Sequence, residues 1–398
     1  MRVRPRMLTA LGLAAGLALV MAVSACSGSA GSPTADAAAA RSTASARATI
    51  VVGATLALTG ALDADGAPLE AGYRLQIAGV NAAGGITVGG AKEKLTLVVL
   101  NNGSNPATAS AQASELVRRD HAVALLGFAT PQLVLPVAAA AEDLQVPFLT
   151  SLLPVEAFAA GDKTGWTYSW DLCYDEQQQA AATAKALAAV PSDKKIVLFT
   201  DDEPDSAVEG PLYAAAFKAD GLHVVGDYTV GVGTTDFSSF LADAKAAGAQ
   251  LLAGQLSPAD GAALSRELAA SGLHPKAGLL ATGPDSDAGS SPADPAQDTL
   301  LAVYWRPGQA SPGQLAAVAA TLGRTYAGSP DYATAAIGYA VAQVLTDALA
   351  RAGSVNPGRL NAAIGRTDAP TVAGLIRFSQ FTHTATTSYS VTSVRPRG

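Results

Sequence analysis

One stretch, Ile50 to Ile86, constrains the fold more than any other, because it spells a β-strand, a loop and a helix in succession. Ile50-Val51-Val52-Gly53-Ala54 is a run of β-branched and small residues of the kind buried on both faces of a parallel sheet. A loop follows from Leu58-Thr59-Gly60 to Asp65-Gly66. From Pro68 the period becomes helical, with Leu69, Tyr73, Ile77 and Val80 on one face and Asn81-Ala82-Ala83-Gly84-Gly85 as the stop. This is the first half of a βαβ unit. Its loop lies at the carboxyl end of a strand and feeds a helix N-terminus, where open α/β sheets bind ligands. The binding site is therefore expected to begin here, with Thr59 and Asp65 as polar residues of the loop.

The same alternation continues along the chain. Strands are expected at 95–100, 123–127 and 146–149, with helices opening at Asn105-Pro106 and after Thr130-Pro131-Gln132. Trp166 to Trp170 reads as a strand with one wet face and is taken as the first crossover between two lobes. A second series follows, with strands at 196–200, 223–228, 250–254 and 278–281 and glycine-stopped helices between them. A strand at 299–305, helices at 312–326 and 332–352, and strands at 371–378 and 389–394 complete the chain, which is expected to return to the first lobe. The fold class is α/β, two doubly wound parallel-sheet lobes joined by three crossovers. Lobe 1 is expected to comprise 49–168 with 307–378, and lobe 2 to comprise 169–306 with 379–398.

The N-terminus reads as an export signal over residues 1–25. Arg2, Arg4 and Arg6 precede an uncharged apolar run, Met7 to Val23, that ends at Val23-Ser24-Ala25-Cys26. These four residues resemble the bacterial lipobox, which implies a lipid on Cys26 and a place on the outer face of the cell membrane. Residues 26–48 are almost all Ser, Ala, Gly and Thr and cannot bury enough apolar surface to order themselves, so they form a flexible tether. No second long apolar span is expected. The chain carries 26 basic and 33 acidic residues, and losing the three leader arginines takes the balance to about −10, which argues against nucleic acid. With Cys26 lipidated, Cys173 is the one thiol left, and it reads as a buried small hydrophobe.

Several short words recur in a fixed order: Gly53 with Leu58-Thr59-Gly60 and Asp65-Gly66; Asn81-Ala82-Ala83-Gly84-Gly85-Ile86; Asn105-Pro106; Val146-Pro147-Phe148; Thr235-Asp236-Phe237; Gly283-Pro284-Asp285; and Gly374-Leu375-Ile376-Arg377-Phe378. Together, behind a lipobox, they resemble the branched-chain-amino-acid-binding type of ABC-transporter solute-binding protein over nearly all of Ile50 to Val394. The resemblance implies a type I periplasmic-binding fold, a small-molecule ligand closed between the lobes, an ABC permease as partner and a monomer with no cofactor. In that family hydroxyls and backbone N–H groups of the first lobe hold the ligand carboxylate, and an acidic residue of the second lobe holds its ammonium. Here the first position falls in Thr130-Pro131-Gln132, where the family shows serines. The second falls in Thr150-Ser151-Leu152-Leu153-Pro154, where Pro154 replaces a threonine and offers neither hydroxyl nor N–H. The acidic residue corresponds to Asp285. The ligand is thus an amino acid or a related amide or organic acid.

Each candidate has two readings. Thr130, Gln132, Thr150 and Ser151 sit at strand exits and either hold ligand or cap helices. Asp285 either accepts from a ligand cation or is a solvated loop charge. Trp170 and Tyr174 flank the crossover and either pack on ligand or belong to the core. Gln255 and Ser257 are weaker candidates at another exit. Asp201, Asp202 and Glu203 read as a cation site or an exposed turn. His121, His223, His274 and His383 lack metal-ligand spacing, and no nucleophile, base and orienter can be assembled, so no enzyme is expected. The alternatives are a ligand-sensing lipoprotein of the same fold acting with a membrane receptor, and a hydrolytic lipoprotein.

Overall fold

The computed structural model describes residues 49–63, 65–127, 130–202, 204–281, 298–303, 314–325, 331–386 and 390–394. Two six-stranded sheets organise them. The first is built from β1 (Ile50–Leu56), β4 (Leu95–Asn101), β5 (Ala124–Leu126), β6 (Phe148–Pro154), β7 (Ser169–Tyr174) and β15 (Thr384–Thr386). Their order is β15-β7-β6-β5-β1-β4, parallel throughout. The second sheet holds β8 (Lys195–Asp201), β9 (His223–Val230), β10 (Leu251–Gln255), β11 (Ala277–Ala281), β12 (Asp298–Val303) and β16 (Ser390–Val394). It runs β16-β12-β11-β10-β8-β9, with β16 alone antiparallel. Two small hairpins, β2 (Ile86–Val88) with β3 (Ala91–Glu93) and β13 (Asp368–Thr371) with β14 (Gly374–Arg377), complete the strands.

The helices are α1 (Gly66–Ala82), α2 (Pro106–Arg118), α3 (Pro131–Leu144), α4 (Val155–Ala160), α5 (Glu176–Ala188), α6 (Pro204–Ala219), α7 (Ser238–Ala246), α8 (Pro258–Ser271), α9 (Gln314–Thr325), α10 (Asp331–Ala352) and α11 (Pro357–Gly365). Six residues of β1 are buried, as expected of a strand covered on both faces. Glycines allow α1 and α10 to touch backbone to backbone. A Cβ on Gly72 would stand 2.2 Å from the Ala335 carbonyl, and one on Gly338 would stand 2.7 Å from that of Leu69. α10 carries Ala333–Ala352, a stretch long and apolar enough to cross a membrane, contrary to the expectation of no second such span. Most of it is buried against α1 and the first sheet, so its apolarity serves the core.

The expected boundary between lobes falls elsewhere. β7 begins at Ser169 and pairs with β6, so the chain leaves the first sheet after Tyr174, and residues 384–386 return to that sheet as β15. Leu322 of α9 packs in the first-sheet core, so the chain is back in the first lobe before it reaches β15. The fold is the two-lobed α/β arrangement the strand order implied.

Candidate functional site

Two connections between the sheets determine which ends face each other. β7 ends at Tyr174, and α5, which packs on α6 and the second sheet, begins at Glu176. β15 ends at Thr386 and β16 begins at Ser390, a step that spans at most about 14 Å of extended chain. Ser390 pairs with Val303, the carboxyl end of β12. Both sheets therefore turn their carboxyl ends toward the connections, so strand exits and helix N-termini of both lobes, where α/β sheets bind ligands, lie on that side.

On the first lobe the loop after β1 is laced to the loop after β4. Asn101 donates to Thr59 Oγ1 at 2.9 Å, its own Oδ1 accepts the Leu58 N–H at 3.0 Å, and Ser104 Oγ donates to the Thr59 carbonyl at 2.9 Å. Asp65 occupies the N-cap position of α1 without capping it, and its carboxylate accepts from Thr334 Oγ1 at 3.2 Å. The next exit, after β5, is held from below. Tyr73 is fully buried on α1 and donates its hydroxyl to the Gly127 carbonyl at 2.8 Å. Burial pushes its phenol far above the usual range, so it remains a neutral donor. Gly127 has no room for a side chain, since a Cβ would lie 2.4 Å from the Phe148 ring and 2.9 Å from Thr150 Oγ1.

Thr130 follows at the N-cap position of α3 in extended conformation, with Pro131 at N1, yet makes no side-chain cap. Its Oγ1 is buried and, among the described residues, has no hydrogen-bond partner, and the same holds for Ser151 Oγ on β6. Beyond Ser151 the strand distorts: Leu152 adopts φ 66°, and the register with β7 slips before Pro154. Thr150 is buried beneath Gly127, and Gln132 is exposed on the first turn of α3.

On the second lobe the exits are closed by their own partners. Gln255 Nε2 donates to Glu209 Oε2 at 2.6 Å and to the Tyr213 hydroxyl at 3.1 Å. Asp201 joins three elements, accepting from Ser206 Oγ at 2.5 Å and from the Ser257 N–H at 2.7 Å. Ser257 caps α8, accepting the Asp260 N–H at 3.2 Å. Asp202 accepts the Val232 N–H at 2.8 Å. The acidic run at the end of β8 is therefore not an exposed turn throughout, because Asp201 is buried and spent on structure. Beside it a cavity of about 590 Å³ lies between β9 and α6, lined by Thr200, Asp201, Asp227 and Thr229. Among the described residues no cluster of three or more His, Cys, Asp or Glu side chains could hold a metal ion.

The other expected site residues fall as follows. Trp170 belongs to the core: its indole stacks on His383 at 3.7 Å, meets Phe378 edge-on at 5.3 Å and donates to Asn361 Oδ1 at 2.7 Å. Tyr174 closes β7 opposite Pro154, at the crossover. Asp285 and Glu203 lie outside the described residues, as does Cys26, and Cys173 is described only as a residue of β7. The Tyr73 hydroxyl at the β5 exit escaped sequence reasoning, because an aromatic at helical spacing reads as core, which it also is.

Among solved structures, the leucine-binding protein LivK from Thermotoga maritima is 22% identical with a TM-score of 0.72, covering 87% of this chain and 96% of that one. The branched-chain amino acid transporter substrate-binding protein LivJ from Streptococcus pneumoniae, in complex with isoleucine, is 20% identical with a TM-score of 0.72, covering 88% and 100%. An ABC-transporter solute-binding protein from R. palustris, in complex with 4-hydroxybenzoate, is 18% identical with a TM-score of 0.72, covering 88% and 94%. The likeness in fold spans the whole described body. A family model described as periplasmic binding protein matches residues 49–398, and the chain belongs to that family.

Proposed function

We propose that this protein captures a small solute in the crevice between its lobes, outside the membrane and tethered through Cys26, and delivers it to an ABC permease. The observation that carries this reading is the opposition of two sets of strand carboxyl ends across short connections. Such a crevice opens and closes by bending at the connections, and a solute touching both walls favours the closed form.

The first-lobe wall is suited to a carboxylate. α2, α5, α8 and α11 are capped by Asn105, Asp175, Ser257 and Asn356, whereas α1, α3, α4 and α7 have no side-chain cap, and of these α1 and α3 follow β1 and β5. In their first turns Pro68 and Pro131 carry no N–H, and Gly66, Leu69, Leu133 and Val134 donate to backbone carbonyls, so it is the N–H groups of Ala67 and Gln132 that are offered to an anion. The Thr130 hydroxyl, at the N-cap of α3, has no hydrogen-bond partner among the described residues. Solutes with one carboxylate, an amino acid or an organic acid, match this chemistry, and isoleucine and 4-hydroxybenzoate occupy two proteins of the same fold. Thr130, Gln132, Thr150 and Ser151 are the proposed contacts of the first lobe. Asp285 is the proposed contact of the second.

Native mass spectrometry and thermal-shift measurements with L-leucine, L-isoleucine, benzoate and 4-hydroxybenzoate test the proposal. A solute bound only to the folded state adds about 2.7 kcal/mol at a hundredfold excess over Kd. The expected result is a bound mass and a raised Tm with at least one of them, both weakened in Thr130→Val. No bound mass and no shift with any of the four contradicts the carboxylate reading.

A further inference from the structure

The first sheet has a second end, opposite the crevice, and the features gathered there suit a membrane surface. All its strands start at this end, so Thr49, which leads into β1, and His383, which leads into β15, lie on the same side. α1 runs back to it, since Asn81 near its last turn exchanges two hydrogen bonds with Leu95 at the start of β4. α10 runs parallel to α1, with Thr334 bonded to Asp65 and Gln76 to Thr346, so its last turn arrives at the same end. There the Gly353 carbonyl accepts from the Gly89 N–H at 3.0 Å.

Arg351, Arg359 and Arg366 line a depression of about 430 Å³ between the ends of α10 and α11. Arg351 is anchored, donating to the Ala363 carbonyl at 3.1 Å and to Thr367 Oγ1 at 2.8 Å. Arg359 and Arg366 are exposed and, among the described residues, form no ion pair. Gln380 donates to the carbonyl of Gly365, next to Arg366, and the following residue, Phe381, is 95% exposed. This exposure is built in: Ser379 Oγ accepts the N–H groups of Phe381 and Thr382, and the Ser379 carbonyl accepts that of His383, so a tight turn holds the ring outward. Val355 adds a second exposed apolar side chain beside Asn356 at the rim.

We infer that this face of the first lobe docks on an anionic phospholipid bilayer, with Arg359 and Arg366 on headgroup phosphates and Phe381 in the interfacial layer. Arginine pairs with phosphate through several donors, and aromatic side chains settle at the membrane–water boundary. The inference rests on the anchor at Cys26. A chain anchored there meets the bilayer at high local concentration. Docking leaves the crevice, at the opposite end of the sheet, open to solvent.

The test uses the full lipidated chain on vesicles of phosphatidylcholine alone or with phosphatidylglycerol, read by flotation and by amide hydrogen exchange. Slower exchange in 353–366 and 379–383 on the anionic vesicles only is expected, and 0.5 M salt or Arg359→Glu with Arg366→Glu should abolish it. Charge reversal at two sites should weaken the contact about thirtyfold or more. Phe381→Ser, at an exposed site, should leave Tm unchanged and reduce the protection. Failure to float with neutral vesicles refutes the anchor and the inference with it. Flotation without slowed exchange on anionic vesicles refutes docking alone, and protection that appears only when permease is added assigns the face to a protein partner instead.

Discussion

Glu142, near the end of α3, holds the start of β7 with one carboxylate. Its oxygens accept the N–H groups of Thr167 at 3.2 Å, Tyr168 at 2.7 Å and Ser169 at 2.9 Å, three consecutive donors that the sheet leaves unpaired. Glu142→Ala should cost about 1–3 kcal/mol in urea unfolding, the penalty of leaving such donors without a partner. Gly127→Ala tests a different residue-level constraint. With the Phe148 ring 2.4 Å from the added Cβ, the exit must shift, costing about 1–3 kcal/mol and weakening solute binding through Thr130. His383 adds a pH dependence. Burial against Trp170 lowers its pKa below the ordinary value, opposed by its contact with the Ser169 carbonyl and by Glu142 nearby. Below about 6.5 the unfolded chain takes up this proton more readily than the folded one, so the stability His383 supplies is complete above that pH and declines as pH falls. Calorimetry should show Tm falling between pH 7 and pH 5, and falling less in His383→Asn, which tolerates the positive φ of this position. None of these roles is legible in the sequence, where a glutamate at a helix end reads as solvated and a lone histidine has no stated neighbour.

Elements were legible where hydrophobic period and stop residues agreed. Asn105-Pro106 announces α2, and Asn105 caps it at 2.9 Å. Among the elements that escaped, two did so for different reasons. β15 is three residues long, Thr384-Ala385-Thr386, too short and too polar to stand out, although it is the strand that brings the chain back to the first sheet. α11 does carry a signal, Asn356-Pro357 ahead of Leu360 and Ile364, and its burial against Trp170 explains where that indole goes. The Trp166 to Trp170 run reads as the crossover because it separates two series of strands and helices. The sheet shows that β7 continues to Tyr174 between β6 and β15. The α1–α10 contact depends on glycine on both sides, so Gly72→Ala and Gly338→Ala should each destabilise the first lobe by several kcal/mol, beyond the usual gain of alanine over glycine in a helix. Equal or raised stability of either variant in chemical unfolding would show that the helices can separate without loss.

At the scale of the molecule, alternation of strand and helix, repeated twice, was enough to reveal two doubly wound sheets, because a parallel sheet admits few other connections. The site was legible only as a set of exits. Which side chains are free depends on partners far apart in sequence: Gln255 is taken by Glu209 and Tyr213, whereas Thr130 Oγ1 is left without one. On that difference rests the proposal that the first lobe supplies the main polar wall and Asp285 the contact of the second. The central claim is closure of the crevice on a solute. Small-angle scattering of the purified protein, alone and saturated with whichever of L-leucine, L-isoleucine, benzoate or 4-hydroxybenzoate calorimetry shows to bind, measures it directly. A smaller radius of gyration with the bound solute is the predicted result. An unchanged radius with a solute demonstrably bound would contradict it.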